Sequence, residues 1–318
     1  MYARSVAVVT FDPQYRAATE AVALLDRSVR GRLAVSGPQA AEFLDSLLSN
    51  DIAGLRPGAG IEATLLTHKG RMLAEVRVLC TEDELALDTE RVSLQALFDA
   101  LQRFRVGYDV DVHKRTLALG LLSLIGPGSD GALTDPPGPA EHAHHGTTLD
   151  GRAVRVIRSD VGIDVLCESE DTTAVSAALE RAGAVEIEEV VAEAIRIEHG
   201  RPRFGVDIDE DTMPEEAGIH ERSVSYSKGC YIGQETVARL HWKGRPNRHL
   251  RGLRLSEPLA PGTPLLLGGR QVAVVGSVTT SPRLGPIALA LVRREAEAGA
   301  LLATADGASH ATVVDLPF

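Results

Sequence analysis

Cysteine is scarce in this sequence: Cys80, Cys167 and Cys230 are the only three in 318 residues, and they lie far apart. That excludes a disulfide framework. With no CxxC pair there is also no local grip for a zinc ion or an iron–sulfur cluster, so any metal must gather ligands from distant segments. Long apolar runs are missing too. None approaches the ~18 residues of a membrane span, and the opening MYARSVAVVTFDPQYR has no long apolar core followed by a small-residue cleavage site. The chain reads as cytoplasmic, without a membrane partner. Positive charge is in the minority, 33 Lys plus Arg against 44 Asp plus Glu, for a net charge of −11. This argues against broad adhesion to phosphate backbones, so direct nucleic-acid binding would need a local basic patch and would be weak. No fixed-period repeat is visible, and no region combines low hydrophobicity with high charge as long disordered segments do.

What is present is an ordinary globular composition, 44% hydrophobic and 24% charged, long enough for two or three folded units. Asp12-Pro13 is a helix opening, and Ala18, Val22, Leu25 and Val29 recur at helical spacing, predicting a helix over about 12–29. A second helix from Pro38 buries Phe43, Leu44, Leu47 and Leu48. The runs IEATLLT, MLAEVRVLC and ELALD, with a turn at His68-Lys69-Gly70, predict a hairpin and a third strand. A helix over about 92–104 follows, then strands in VGYDVDV and LALGLLSLI. Residues 126–146, rich in Gly and Pro, predict a long surface loop whose histidines, His142, His144 and His145, are solvated rather than metal-bound. Strands near 154–157 and 163–167 and helices over about 172–183 and 190–199 complete the first part. From Arg248 onward, short apolar segments punctuated by Gly and Pro predict a small all-β barrel. The reading is α+β over 1–245, as two interleaved subdomains, and a β-barrel over 246–318.

The segment richest in chemistry is SKGCYIGQETVAR, 227–239. Lys228 stands two residues from Cys230, and a nearby cation favours thiolate over thiol, the nucleophilic and metal-ligating form. Two glycines allow a tight turn into a helix starting near Gln234-Glu235, whose N-terminus would favour the thiolate further. Cys80 and Cys167 end apolar stretches and read as small hydrophobes. Upstream, Asp207, Asp209, Glu210, Asp211, Glu215 and Glu216 crowd six acids into ten residues. Downstream, Arg239, Lys243, Arg245, Arg248 and Arg251 accompany Trp242 without any acid. The reading is an acidic and a basic wall beside Cys230, the latter able to hold an anionic ligand tail or RNA phosphates.

KGCYIGQE closely resembles the signature of the YgfZ-type folate-binding proteins, relatives of the glycine-cleavage T-protein, an aminomethyltransferase. RIEHGRPRFGVDID with MPEEAG, GRPNRHLRGL, GSVTTSPRLGPIALALV, the closing VVDLPF and LDRSVRGRLAVSGPQAAEFLDSLLSNDIAGLRPG extend the resemblance over most of the chain. It implies a ring of three domains, one ferredoxin-like portion and a C-terminal β-barrel among them, around a channel that binds tetrahydrofolate or a one-carbon derivative. Glu198 matches the glutamate that recognises the pterin in the T-protein, a task suited to a carboxylate accepting paired N–H donors. Asp164 stands where the T-protein has a glutamate. The signature side chains Lys228, Tyr231, Gln234 and Glu235 count to the same ligand-binding set. Arg239 is assigned to the folate glutamate tail from its charge alone.

Where the T-protein has two aspartates after a GGI-type turn, this chain has Ala74 and Glu75. Aminomethyl transfer needs a placed carboxylate beside the reacting amine, and this departure, with the presence of Cys230, tilts the reading toward an accessory protein. Its job would be iron–sulfur cluster assembly or repair, with effects on tRNA modification, using Cys230 as the key thiol and iron–sulfur proteins or assembly factors as partners. An isolated thiolate cannot hold a cluster alone, so a partner would supply further ligands. The alternatives are a folate-dependent aminomethyltransferase or other one-carbon enzyme, and a pure interaction module. No resident metal is expected.

Overall fold

The computed structural model describes residues 11–318. The segment 1–10, where the sequence reading found no leader-like run, lies outside the described residues. Two antiparallel-rich sheets and a barrel make up the framework. The first sheet runs, edge to edge, Val185–Glu186, Ala23–Asp26, Leu119–Ile125, Gly162–Glu168, Arg152–Arg158 and His144–Leu149. The second runs Gly60–Leu66, Met72–Cys80, Leu85–Thr89, Gly31–Ser36 and Asp111–Lys114. The chain thus enters the first sheet, builds the second, and returns to the first. Among the described residues no helix is long and apolar enough to cross a membrane.

The second sheet buries its core against two helices. Helix Ala40–Leu47 contributes Phe43, Leu44 and Leu47, as the sequence predicts, and helix Leu94–Phe104 contributes Leu97 and Leu101. Strands Arg248–Leu255, Gly285–Arg293, Arg270–Ser281, Pro264–Leu267, Leu301–Ala303 and His310–Val314 close into a six-stranded barrel. Alternate residues such as Leu253, Leu255, Val313 and Ala311 fill its interior.

Two local expectations are corrected. The predicted helix over 12–29 ends at Glu20, and Ala23–Asp26 is a strand. Leu24 packs into one core with Leu122 and Val165, while Ala23 and Leu25 pack into another with Tyr15 and Ile195. Because both faces of this strand are covered, its period-2 alternation is invisible as apolar-polar contrast. Val29, counted on the helical face, is 76% exposed. Within 126–146 the chain is mostly irregular, but His142 and His144 are buried, not solvated. His144 opens the edge strand His144–Leu149, and its ring meets the Ala59 carbonyl and the Arg155 guanidinium.

Candidate functional site

Strand Met72–Cys80 alternates in burial from Met72 to Val78. Ala74, Val76 and Val78 point into the core of the second sheet, and the opposite phase turns Glu75 and Arg77 toward the first sheet. There, the register pairs Asp164 with Ser123 on neighbouring strands. Arg77 Nη1 donates to Asp164 Oδ2 at 2.5 Å and Ser123 Oγ donates to Oδ1 at 2.6 Å, so one guanidinium ties the two sheets together. Burial pushes the Asp164 carboxyl up, but the Arg77 charge and these two hydrogen bonds outweigh it and hold the group below the usual carboxylate range.

Between the sheets lies a cavity of about 200 Å³, bounded on a third side by helix Glu189–Glu198 and the chain that follows it. Its wall is almost evenly ionic, with seven arginines and seven acids. Six of those acids are paired with arginine: Asp88 and Glu90 with Arg30, Glu62 and Glu141 with Arg222, Asp160 with Arg201 and Asp164 with Arg77. The seventh, Glu75, makes no side-chain hydrogen bond or ion pair among the described residues; the Thr89 hydroxyl donates to its backbone carbonyl, not to its carboxyl. Burial first, and the negative charge of Glu62 second, push its carboxyl up to about 8. It therefore carries its proton at neutral pH, in a cavity, next to arginines. His142 faces Glu62 and Glu141 at 3.8 Å, yet burial and the charges of Arg77 and Arg222 bring its pKa down to about 3, so it stays neutral.

A second cavity, about 500 Å³ and more open, adjoins the first. The two share Ile125, Ser159, Asp160, Val161, Ile195 and His199 as common wall. Glu198 lines the second one, buried at the end of its helix. Its carboxylate accepts Tyr15 Oη on both oxygens, Ser281 Oγ at 2.5 Å and Arg283 Nη2 at 3.2 Å, the last two reaching over from the barrel. Glu198 and Asp164 thus belong to one continuous pair of cavities.

The signature segment lies elsewhere. Cys230 is exposed on the loop before helix Gln234–Lys243 and lines neither cavity. Lys228 does not face it as a free cation. Its Nζ, with the side chain 2% exposed, donates to the carbonyls of Asp45, Leu48 and Asn50 and pairs with Asp45 Oδ1 at 3.1 Å, closing the C-terminal end of helix Ala40–Leu47. Tyr231 is buried in the core with Val237 and Leu66, and Gln234 Nε2 donates to the Lys228 and Gly229 carbonyls. Glu235 and Arg239 are exposed on the helix, outside both cavities. Gly233, at φ +86°, packs where a Cβ would stand 2.5 Å from the Thr67 carbonyl oxygen, so only glycine lets the loop dock on the hairpin turn. The pairing of the thiol with Lys228 is therefore corrected: this lysine's charge is consumed by helix capping. The acidic and basic walls also differ from expectation, since Arg248 pairs with Glu216 and Asp207 is buried against Arg196.

The comparisons with known proteins now bear on this geometry. Residues 2–228 match the GCVT N-terminal domain, and residues 248–318 match the glycine cleavage T-protein C-terminal barrel domain. The chain belongs to the glycine cleavage T-protein family. Similar relatives include an aminomethyltransferase of Streptomyces coelicolor, 29% identical over 289 residues, covering 85% of this chain and 77% of the relative. A protein named as a chloroplastic transferase in Arabidopsis thaliana is 28% identical over 268 residues, 81% of this chain; the match spans 62% of that relative's length. The crystal structure of the glycine cleavage system aminomethyltransferase T from Bartonella henselae superposes with a TM-score of 0.86 at 24% identity, covering 96% of this chain and 89% of that one. The fold of the T-protein family, α+β with a closed C-terminal barrel, is thus the fold of this chain.

Sequence reasoning picked out Glu198 and Asp164, which the T-protein fold brings to the joined cavities. It took Glu75 only as a departure from the family pattern, read His142 as a solvated loop histidine, and missed Arg77 and Arg222. A signal for Glu75 and Arg77 was there: charged side chains at alternate positions of the otherwise apolar MLAEVRVLC demand a polar enclosure.

Proposed function

We propose that this protein is a folate-dependent one-carbon transfer enzyme of the aminomethyltransferase type, working in the cavity between the two sheets. One observation carries the reading: Glu75 alone among the cavity acids lacks a cationic partner, and it holds a proton near neutrality. A carboxyl in that state can give a proton to a leaving amine and take one back, which is the work of a general acid–base. The six ion-paired acids are each already engaged by an arginine, so none of their carboxyls is free to meet a substrate.

The residues present fit a reduced folate. The Nε atoms of Arg27, Arg77, Arg203 and Arg222 are buried on the cavity wall without a hydrogen-bond partner, a donor surplus suited to a ligand rich in acceptors and carboxylates. Glu198 and Asp164 supply carboxylates at the joined cavities for the N–H edge of a pterin. Bound tetrahydrofolate would accept the one-carbon unit. Arg77 ties the two sheets together beside the Glu75 carboxyl. Aminomethyltransferase relatives support this reading over iron–sulfur maintenance, whose proposed thiol, Cys230, sits outside the cavities on an exposed loop. That exposure still suits a contact with a partner protein, so a YgfZ-type accessory role is the second reading.

Titrating tetrahydrofolate into the protein in a calorimeter, and following methylenetetrahydrofolate formation with a carrier-bound or simple aminomethyl donor, tests the proposal. Micromolar binding with product formation is expected. No heat and no thermal shift at millimolar tetrahydrofolate would overturn it, and binding without product would favour the second reading.

A further inference from the structure

The segment 214–223, whose Ile219 and Arg222 line the first cavity, and helix Gln234–Lys243 bring together three side chains of metal-ligating type that line neither cavity. Glu215 comes from the short helix Pro214–Ala217, His220 from His220–Ser223 and His241 from the last turn of Gln234–Lys243. Their ligand atoms all lie within 4.8 Å of one another. Glu215 Oε1 stands 3.6 Å from His220 Nε2 and 3.4 Å from His241 Nδ1. The first exceeds a hydrogen bond and the second is a long one. They are close to the ~3.4 Å that a tetrahedral ion with ~2.1 Å bonds imposes between its donors.

We propose that Glu215, His220 and His241 form a binding site for a divalent first-row transition ion, with zinc as the expected occupant. Two imidazoles and one carboxylate are the donor set of open zinc sites, in which water takes the remaining position. All three side chains are half-buried, 15%, 20% and 27% exposed, so they can shed most of their hydration while water still reaches the ion. The surroundings hold the ligands in place. Tyr226 Oη donates to the other Glu215 oxygen at 3.2 Å, the type of outer contact that orients a ligating carboxylate. The Tyr226 ring stacks on His241 with centroids 4.0 Å apart and planes at 17°, and Trp242 closes edge-on at 4.7 Å from the same imidazole. His220 Nδ1 is buried without a hydrogen-bond partner, so no hydrogen bond at that atom ties the ring to another group.

Charge separates this cluster from the other grouping of the same residue types. Glu62, Glu141 and His142 also converge, but Arg222 Nη2 lies 2.9 Å from Glu62 and 2.5 Å from Glu141, so a guanidinium already fills the cation position. No lysine or arginine pairs with Glu215 among the described residues. Its ion-pair neighbours are the two imidazoles alone. An ion there would pin helix Gln234–Lys243 to segment 214–223 and brace the loop that carries Cys230 between them.

Chelator-stripped full-length protein titrated with Zn²⁺ by calorimetry should bind one ion per chain. Glu215→Gln, His220→Ala and His241→Ala should each weaken that binding roughly tenfold or more, while His142→Ala and Cys230→Ser leave it intact. Glu215→Gln retains the side-chain volume and an oxygen for Tyr226, so it reads the site even if a histidine variant fails to fold. Co²⁺ should give visible d–d bands that His241→Ala abolishes. No uptake by the stripped protein, uptake unchanged in Glu215→Gln, or uptake lost in His142→Ala or Cys230→Ser would overturn the assignment.

Discussion

Replacing Glu75 with glutamine is expected to cut one-carbon transfer about 10²- to 10⁴-fold, the usual contribution of a positioned acid–base, while tetrahydrofolate binding persists. The same variant should alter the pH dependence of stability, with a sign that follows from the raised pKa. An ordinary glutamate in the unfolded chain loses its proton near 4.5, whereas Glu75 in the folded protein holds it to about 8. Between those values the native state binds more protons than the unfolded state, so wild-type stability falls as pH climbs from about 4.5 toward 8. Glutamine does not titrate and removes this decline. The melting temperature of Glu75→Gln relative to wild type should therefore rise between pH 5 and pH 8.5. The gain corresponds to on the order of 2–4 kcal/mol, taking ~1.4 kcal/mol for each tenfold change in proton affinity. Parallel pH profiles for the two proteins, or wild-type turnover in the variant, would remove Glu75 from the mechanism.

The double readout matters because a purely structural glutamate would fail it. Were Glu75 one of the ion-paired acids, its loss would strand an arginine and destabilise the protein at neutral pH. Glu62 shows that contrast within the same cavity. Burial raises its pKa first, but Arg222 opposes the rise at 2.9 Å, and removing it leaves a buried guanidinium short of a partner.

Much of this architecture was legible before any coordinates. The apolar stripes of Ala40–Leu47 and Leu94–Phe104, the alternation of MLAEVRVLC and the punctuated strands after Arg248 each follow from local periodicity. What periodicity cannot convey is which side of an element is enclosed. Ala23–Leu24–Leu25 reads as helix because both faces of the strand are apolar, and His142 and His144 read as solvated because their partners, Glu62 and Ala59, come from another sheet. Glu198 and Asp164 were found through resemblance, whereas the role of Glu75 depends on what is missing around it. The absence of a partner is a property of the folded wall. Glu215, His220 and His241 likewise show no motif spacing, since a four-residue turn and the far end of a later helix bring them together.

Lys228 tests how the signature KGCYIGQE divides between architecture and chemistry. Its ammonium is buried, and although burial lowers its pKa, the hydrogen bond and charge of Asp45 work against that. Replacing it with methionine would leave the carbonyls of Asp45, Leu48 and Asn50 and the Asp45 carboxylate without their shared donor. The expected loss is about 3–5 kcal/mol, seen as a melting temperature lower by roughly 10 °C. Arginine should not rescue it, because a planar guanidinium cannot direct donors at three converging carbonyls as a compact ammonium does. Cys230→Ser, by contrast, changes an exposed side chain and should leave stability within about 0.5 kcal/mol of wild type. If both variants melt as expected, the lysine and Gly233 are in the signature to dock the loop on the hairpin turn, and only the thiol is free to act on something outside the fold. If Lys228→Met melts like wild type, the ammonium is not engaged by the helix end, and it becomes available again as the cation beside Cys230.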